Sequence, residues 1–187
     1  MSISIPIRIG GFMLLIFLVQ ESLGWDFGIL GILPRNLIGL VGIIMSPWIH
    51  ANLFHLIPNL ASFLILSSLL YYFYDRIAGW VLVYGMLWTN SIVWLAARPY
   101  LHIGSSGIVY MLAFFLMGFG FFRAKWKDLL ISIVVMILNG SLIYGIIPSN
   151  TRVSWESHLI GAGVGLVMAF YLSRKRKVSS YAVQRLS

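Results

Sequence analysis

Two residues in this chain have the types needed for nucleophilic catalysis. Ser106 sits in Gly104-Ser105-Ser106-Gly107, and His158 in Ser157-His158-Leu159-Ile160-Gly161. Each lies just inside the start of a long apolar segment, where a polar group is costly and needs a reason. Serine is a weak nucleophile unless a base stands within about 2.6–3.2 Å, and His158 can be that base. His55 and Asn59 are four residues apart and so share a helix face. Their ring and amide N–H groups could hold a developing oxyanion, where losing one donor costs about 10²–10³ in rate. The backbone N–H of Ser106, at a helix N-terminus, is a third donor. Asp26, Asp75 and Asp128 fall at segment ends or in loops, and Glu156, two residues from His158, points away on a helix. The expectation is therefore a Ser–His dyad, with the histidine oriented by packing, for which Tyr110, one turn past Ser106, is the candidate.

The elements that must position these groups follow from composition. The chain has 187 residues, 60% of them hydrophobic and 10% charged, and a mean hydropathy of +0.93. A soluble domain carries about 25% charged residues, so this is an integral membrane protein. The length allows one domain, and the fold class expected is an all-α bundle of six transmembrane helices. A helix needs about 20 residues to cross the hydrocarbon core. Candidate spans run over residues 7–23, 53–74, 78–97, 104–122, 129–147 and 155–173, followed by a basic tail, 174–187. The first is read as a retained span. Gly24 to Asn52 is apolar but broken by Gly28, Gly31, Pro34, Gly39, Gly42 and Pro47, which fits an interfacial or re-entrant loop packed on the bundle.

Basic residues set the orientation. With a cytoplasmic N-terminus, Arg8, Arg76, Arg123, Lys125, Lys127, Arg174, Lys175, Arg176, Lys177 and Arg185 lie inside, and Arg35, Arg98 and Arg152 outside. Both termini are then cytoplasmic, and the run Arg174–Lys177 touches anionic membrane lipid. Spans two, four and six enter from the outer face. This puts His55, Asn59, Ser106 and His158 at a similar depth, roughly 5 Å below the surface at 1.5 Å per residue. Gly161 and Gly165 form a small-residue stripe that lets span six approach span four, and Gly104 and Gly107 leave room around Ser106.

Other chemistries find little support. There is no cysteine, so disulfides and thiolate catalysis are excluded. No His-Glu-x-x-His or comparable pattern suggests zinc, and neither a metal nor a cofactor is expected. His50 and His102 read as loop or interface residues; a supporting group at the outer rim is the alternative for His50. The net charge of +8 collects in short connections and reads as topology, so no nucleic-acid partner is expected. A transporter would need an acidic relay in mid-membrane. No pattern specifies an oligomeric state.

The run His50-Ala51-Asn52-Leu53-Phe54-His55-Leu56-Ile57-Pro58-Asn59, then Gly104-Ser105-Ser106-Gly107, Tyr110, and Ser157-His158 with Gly161 and Gly165 together resemble the rhomboid intramembrane serine proteases in their minimal six-span form. Val153-Ser154-Trp155-Glu156-Ser157-His158 looks like a bacterial branch of that family. The chain departs in lacking a Trp-Arg pair in the first loop, where Trp48 precedes Ile49, and in carrying Pro58 within the His–Asn motif. The resemblance implies a bacterial plasma-membrane endopeptidase whose substrates are transmembrane segments of other proteins, cut near the outer face. Substrate would enter from lipid near spans two and five, where Asn139-Gly140-Ser141 makes span five less regular. It also implies Ser106 as nucleophile, His158 as base, and His55, Asn59 and the Ser106 N–H around the oxyanion. Tyr110 would stack on the base. A proteolytically silent relative that only binds membrane helices is the competing expectation.

Overall fold

Backbone N–H and C=O groups in hydrocarbon find no water, so apolar segments must close their hydrogen bonds within helices. The computed structural model, which describes residues 3–148 and 154–175, shows this outcome. Among the described residues six helices are long and apolar enough to cross a membrane. They are α1 (Ser4–Leu23), α2 (Leu53–Phe73), α3 (Asp75–Ala96), α4 (Ser106–Arg123), α5 (Trp126–Asn139, extended by a 3-10 segment, Gly140–Ile146) and α6 (Trp155–Ser173). The expected all-α, six-helix membrane bundle is what forms. Arg152, Arg176, Lys177, Arg185 and Val153, all used in the sequence reading, lie outside the described residues, as does most of the basic tail.

The central helix is α4: two thirds of it (67%) is buried within the protein, against 17% of α5 with its extension. Met111, Leu112, Phe115, Leu116 and Phe119 on α4 are fully enclosed, packed in one cluster with Phe63, Leu66 and Leu70 of α2 and Ala169 of α6. The closest neighbour of α4 is α6. A Cβ added to Gly161 would overlap the carbonyl oxygen of Gly107, and one on Gly165 would overlap that of Met111. Glycine at these two positions is what allows the backbones to touch, since helix association in lipid depends on such close packing.

The stretch from Gly24 to Asn52 is a chain of short helical turns folded onto the C-terminal end of α3. Trp94 Nε1 donates to the Asn36 carbonyl (2.9 Å), Asn90 Nδ2 to that of Ile43 (2.7 Å), and Arg35 NH1 to that of Ala97 (2.8 Å). Ile32 and His102 exchange backbone hydrogen bonds of 2.9 Å in both directions, joining this loop to the α3–α4 connection. At the start of α2 the Asn52 side chain accepts from the His55 N–H (2.9 Å), an N-cap that satisfies a helix-terminal donor. Pro58 stands inside α2 without ending it. It lies in the second turn, and as a proline it leaves the carbonyl four residues back without its usual donor.

The opposite end of the bundle is held by charge. Asp128 of α5 accepts from the Tyr74 hydroxyl (2.9 Å) and pairs with Arg123 at 3.3 Å, with both charged side chains almost fully enclosed. Ser132 Oγ donates to the Leu116 carbonyl (2.9 Å). The part of α5 nearest Asp128 is thus fixed to α4, whereas the buried residues of α5 end at Val135 and the 3-10 segment has none. Removing one partner of a buried ion pair strands the other, at a cost of about 3–5 kcal/mol. Asp128→Ala is therefore expected to lower the apparent melting temperature in detergent by roughly 10 °C, given about 2–4 °C per kcal/mol at this size. A thermal unfolding curve of the variant beside the wild type checks this.

Candidate active site

The start of α4 is a tight turn sewn to the loop beneath it. Gly104 has φ +99°, a conformation open to glycine and strained for other residues, and its N–H donates to the Ser46 carbonyl (2.8 Å). The lack of a Cβ also admits the His55 ring, which would otherwise come within 2.7 Å of it. Beyond this turn Ser106 opens α4, so its N–H is among the first four of the helix, which have no partner within it.

His158, in the first turn of α6, presents Nε2 to Ser106 Oγ at 3.0 Å. Its ring lies flat on Tyr110, with centroids 4.2 Å apart and planes 6° from parallel. Its other nitrogen, Nδ1, is 2.9 Å from the carbonyl oxygen of Gly145 in the 3-10 segment after α5. His55 accepts at Nδ1 from the Ala51 N–H (3.5 Å), which leaves its proton on Nε2. Asn59 uses one amide N–H on the His55 carbonyl (2.8 Å) and keeps a second. Ser106, His158, His55, Asn59 and Tyr110 all line one cavity of about 590 Å³. The side chains singled out in the sequence therefore converge, with Gly107 and Gly161 beneath them at the α4–α6 contact.

A second Ser–His pair lies next door. The Ser105 hydroxyl is 3.4 Å from His50 Nε2, which also receives the Ser105 N–H (3.4 Å). Both residues are wholly buried, and neither lines the 590 Å³ cavity. This pair fastens the turn to the loop; Ser106 is the serine that faces open space. His50 is thus a loop residue, as expected, and it is an enclosed one rather than a group at the rim. Its carbonyl accepts from Gln20 Nε2 (3.2 Å), and its ring meets that of His55 edge-on at 5.1 Å.

The sequence reading missed three features. Gly145 has no side-chain signal at all. Arg98 and Glu156 form an ion pair at the mouth of the cavity, where a lone arginine and a glutamate 58 residues apart announce nothing. His102 bridges the Arg98 carbonyl (3.1 Å) and the Ser154 hydroxyl, which in turn meets Ser157 Oγ at 2.6 Å. It ties the first turn of α6 to the loop before α4. Among the described residues no group of three or more His, Asp or Glu side chains is placed to hold a metal ion.

The six helices define an integral multi-pass membrane protein. A model of the Rhomboid domain matches residues 39–175. Uncharacterized proteins of Mycobacterium tuberculosis and Mycobacterium bovis are each 32% identical over 176 residues, covering 85% of this chain and 70% of theirs. One from Mycobacterium leprae is 34% identical over 148 residues, covering 72% of this chain and 57% of its own. The chain belongs to the rhomboid family, whose members are in general intramembrane serine proteases.

Burial, reinforced by the neighbouring His55, pushes His50 down to about 4, and burial also lowers His102. Both are therefore neutral in the folded protein at neutral pH, whereas an unfolded histidine binds a proton near 6.5. The unfolded state therefore binds more protons just below pH 6.5, so the stability that these neutral histidines contribute is complete above about pH 6.5 and is lost as pH falls, for His50 toward about 4. The melting temperature in detergent should fall from pH 7 to pH 4.5, and less steeply in His50→Gln.

Proposed function

We propose that this protein is an intramembrane serine endopeptidase that cuts membrane-spanning segments of other proteins near the outer face. The observation that carries the reading is the 3.0 Å contact between His158 Nε2 and Ser106 Oγ inside a cavity. That distance is within the range for direct proton transfer. His158 takes the hydroxyl proton as Ser106 Oγ attacks the scissile carbonyl. The oxyanion that forms is held by the Ser106 N–H, the free amide N–H of Asn59 and Nε2–H of His55. Proton return from His158 Nε2 expels the amine half, and water, activated by the same nitrogen, releases the acyl half from Ser106. Tyr110 supports the imidazole by stacking. The cycle needs no metal or cofactor.

The basic residues support the orientation. Arg8, Arg76, Arg123, Lys125, Lys127, Arg174 and Lys175 lie at the ends of the helices remote from the cavity, while Arg35 and Arg98 lie at the cavity end. By the positive-inside tendency the cavity opens away from the cytoplasm and the termini are cytoplasmic, as in a bacterial plasma membrane. The cavity is lined by Asn52, the N-cap of α2, by His55, Pro58, Asn59 and Ser62 of α2, and by Leu142 beyond α5. A substrate helix arriving from lipid would enter between these two elements.

The test is labelling of the detergent-solubilised protein with a fluorescent fluorophosphonate. Wild type is expected to label, Ser106→Ala and His158→Ala are not, and Ser105→Ala is expected to retain reactivity provided it folds. A folded wild type that stays unlabelled would favour the silent helix-binding alternative. On a transmembrane model substrate, Asn59→Ala should lower kcat/KM by about 10²-fold, the usual cost of losing one oxyanion donor.

A further inference from the structure

Among the described residues no carboxylate stands behind His158. Glu156 is turned to Arg98, and the nearest other ionisable neighbours are His55 across the cavity and Tyr110 beneath the ring. The atom in the place of the third group is the carbonyl oxygen of Gly145, 2.9 Å from Nδ1. A carbonyl can only accept, so that contact requires the proton on Nδ1. Nε2 is then bare and faces Ser106 Oγ as an acceptor. This is the tautomer a base needs; the opposite one would present an N–H to the serine and could not take its proton.

We propose that the Gly145 carbonyl is a positioning group for His158, selecting its Nδ1–H tautomer, and that the 3-10 segment carrying it thereby determines whether the base is competent. The proposal rests on the Ser106–His158 reading above and extends it to a segment that no side-chain motif marks. Two further observations support it. First, the site demands glycine for space: a Cβ on residue 145 would overlap the Tyr110 hydroxyl and stand 3.2 Å from His158 Nδ1. Second, little of the segment is covered by the rest of the protein. Gly140–Ile146 contains no buried residue, and Ile143 and Tyr144 are 60% and 74% exposed. The ties that fix α5 to the bundle, Asp128 and Ser132, lie near its start. The carbonyl is therefore supplied by a segment that is tied to the bundle through Leu142, which packs against the central cluster, and through the His158 contact itself.

The experiment compares four proteins in detergent: wild type, Gly145→Ala, Tyr110→Phe and the double variant. Fluorophosphonate labelling rates are read beside the nitrogen-15 spectrum of the His158 imidazole, assigned by difference from His158→Ala. Wild type is expected to show the Nδ1–H pattern. Gly145→Ala should label roughly 10²-fold more slowly, below the roughly 10⁴-fold that a wrong tautomer costs in a serine protease triad, and its spectrum should shift toward the Nε2–H form. Removing the hydroxyl that the new methyl strikes should bring most of the rate back when the double variant is compared with Tyr110→Phe alone. That comparison also answers the question if Gly145→Ala fails to fold. Unchanged labelling in folded Gly145→Ala, or slower labelling with the Nδ1–H pattern intact, would overturn the positioning role while leaving the dyad standing. An unlabelled wild type would instead overturn the dyad itself.

Discussion

How closely α4 and α6 can approach determines what the cavity end of this bundle is able to do. Lipid tails are as apolar as leucine, so helices in a membrane gain little by hiding apolar surface from one another and depend on close packing instead. Gly161 and Gly165 bring the α6 backbone against the Gly107 and Met111 carbonyls. This sets the separation at which a histidine in the first turn of α6 meets a serine in the first turn of α4 at 3.0 Å. A side chain larger than hydrogen at either glycine would force the helices apart, and the pair would part with them.

The second requirement is a rigid turn before Ser106. The α3–α4 connection is held from several directions: Ile32 bonds to His102, Ser46 accepts from Gly104, and the buried His50 accepts from Ser105. These contacts come from the apolar, glycine-broken loop between α1 and α2, which has no helix of its own long enough to cross a membrane. Its packing gives it a clear physical role as a cradle. It satisfies the backbone groups of the turn where water is scarce, and it leaves the Ser106 N–H facing the cavity.

Polar groups divide between the two ends of the bundle by task. At the end remote from the cavity, Arg123, Asp128 and Tyr74 form a buried, mutually satisfied cluster that immobilises the start of α5. At the cavity end, the hydrogen-bond capacity of His55, Asn59 and Ser106 is only partly used within the protein. Donors left free toward a cavity are a cost to folding and an asset to binding a developing charge. One end of α5 is accordingly tied to the bundle by polar contacts, and the segment beyond its other end, which carries Gly145, has no buried residue.

Much of this was legible in the sequence. The six helices follow from length and hydrophobicity, which are local properties read within single segments. Ser106, His158, His55, Asn59 and Tyr110 stand out because polar residues at the starts of alternate apolar segments must share a depth once the chain zigzags through a membrane. Tertiary structure alone decided the rest. That Ser106 faces the cavity and Ser105 faces buried His50 depends on where α4 begins and on the turn before it, which adjacent serines in a sequence do not reveal. The Arg98–Glu156 pair and the His102–Ser154 bridge join residues more than fifty positions apart, through packing that sums over the whole bundle. The carbonyl behind His158 lay furthest from view, because every residue carries one and only the path of the folded backbone determines which of them reaches the imidazole.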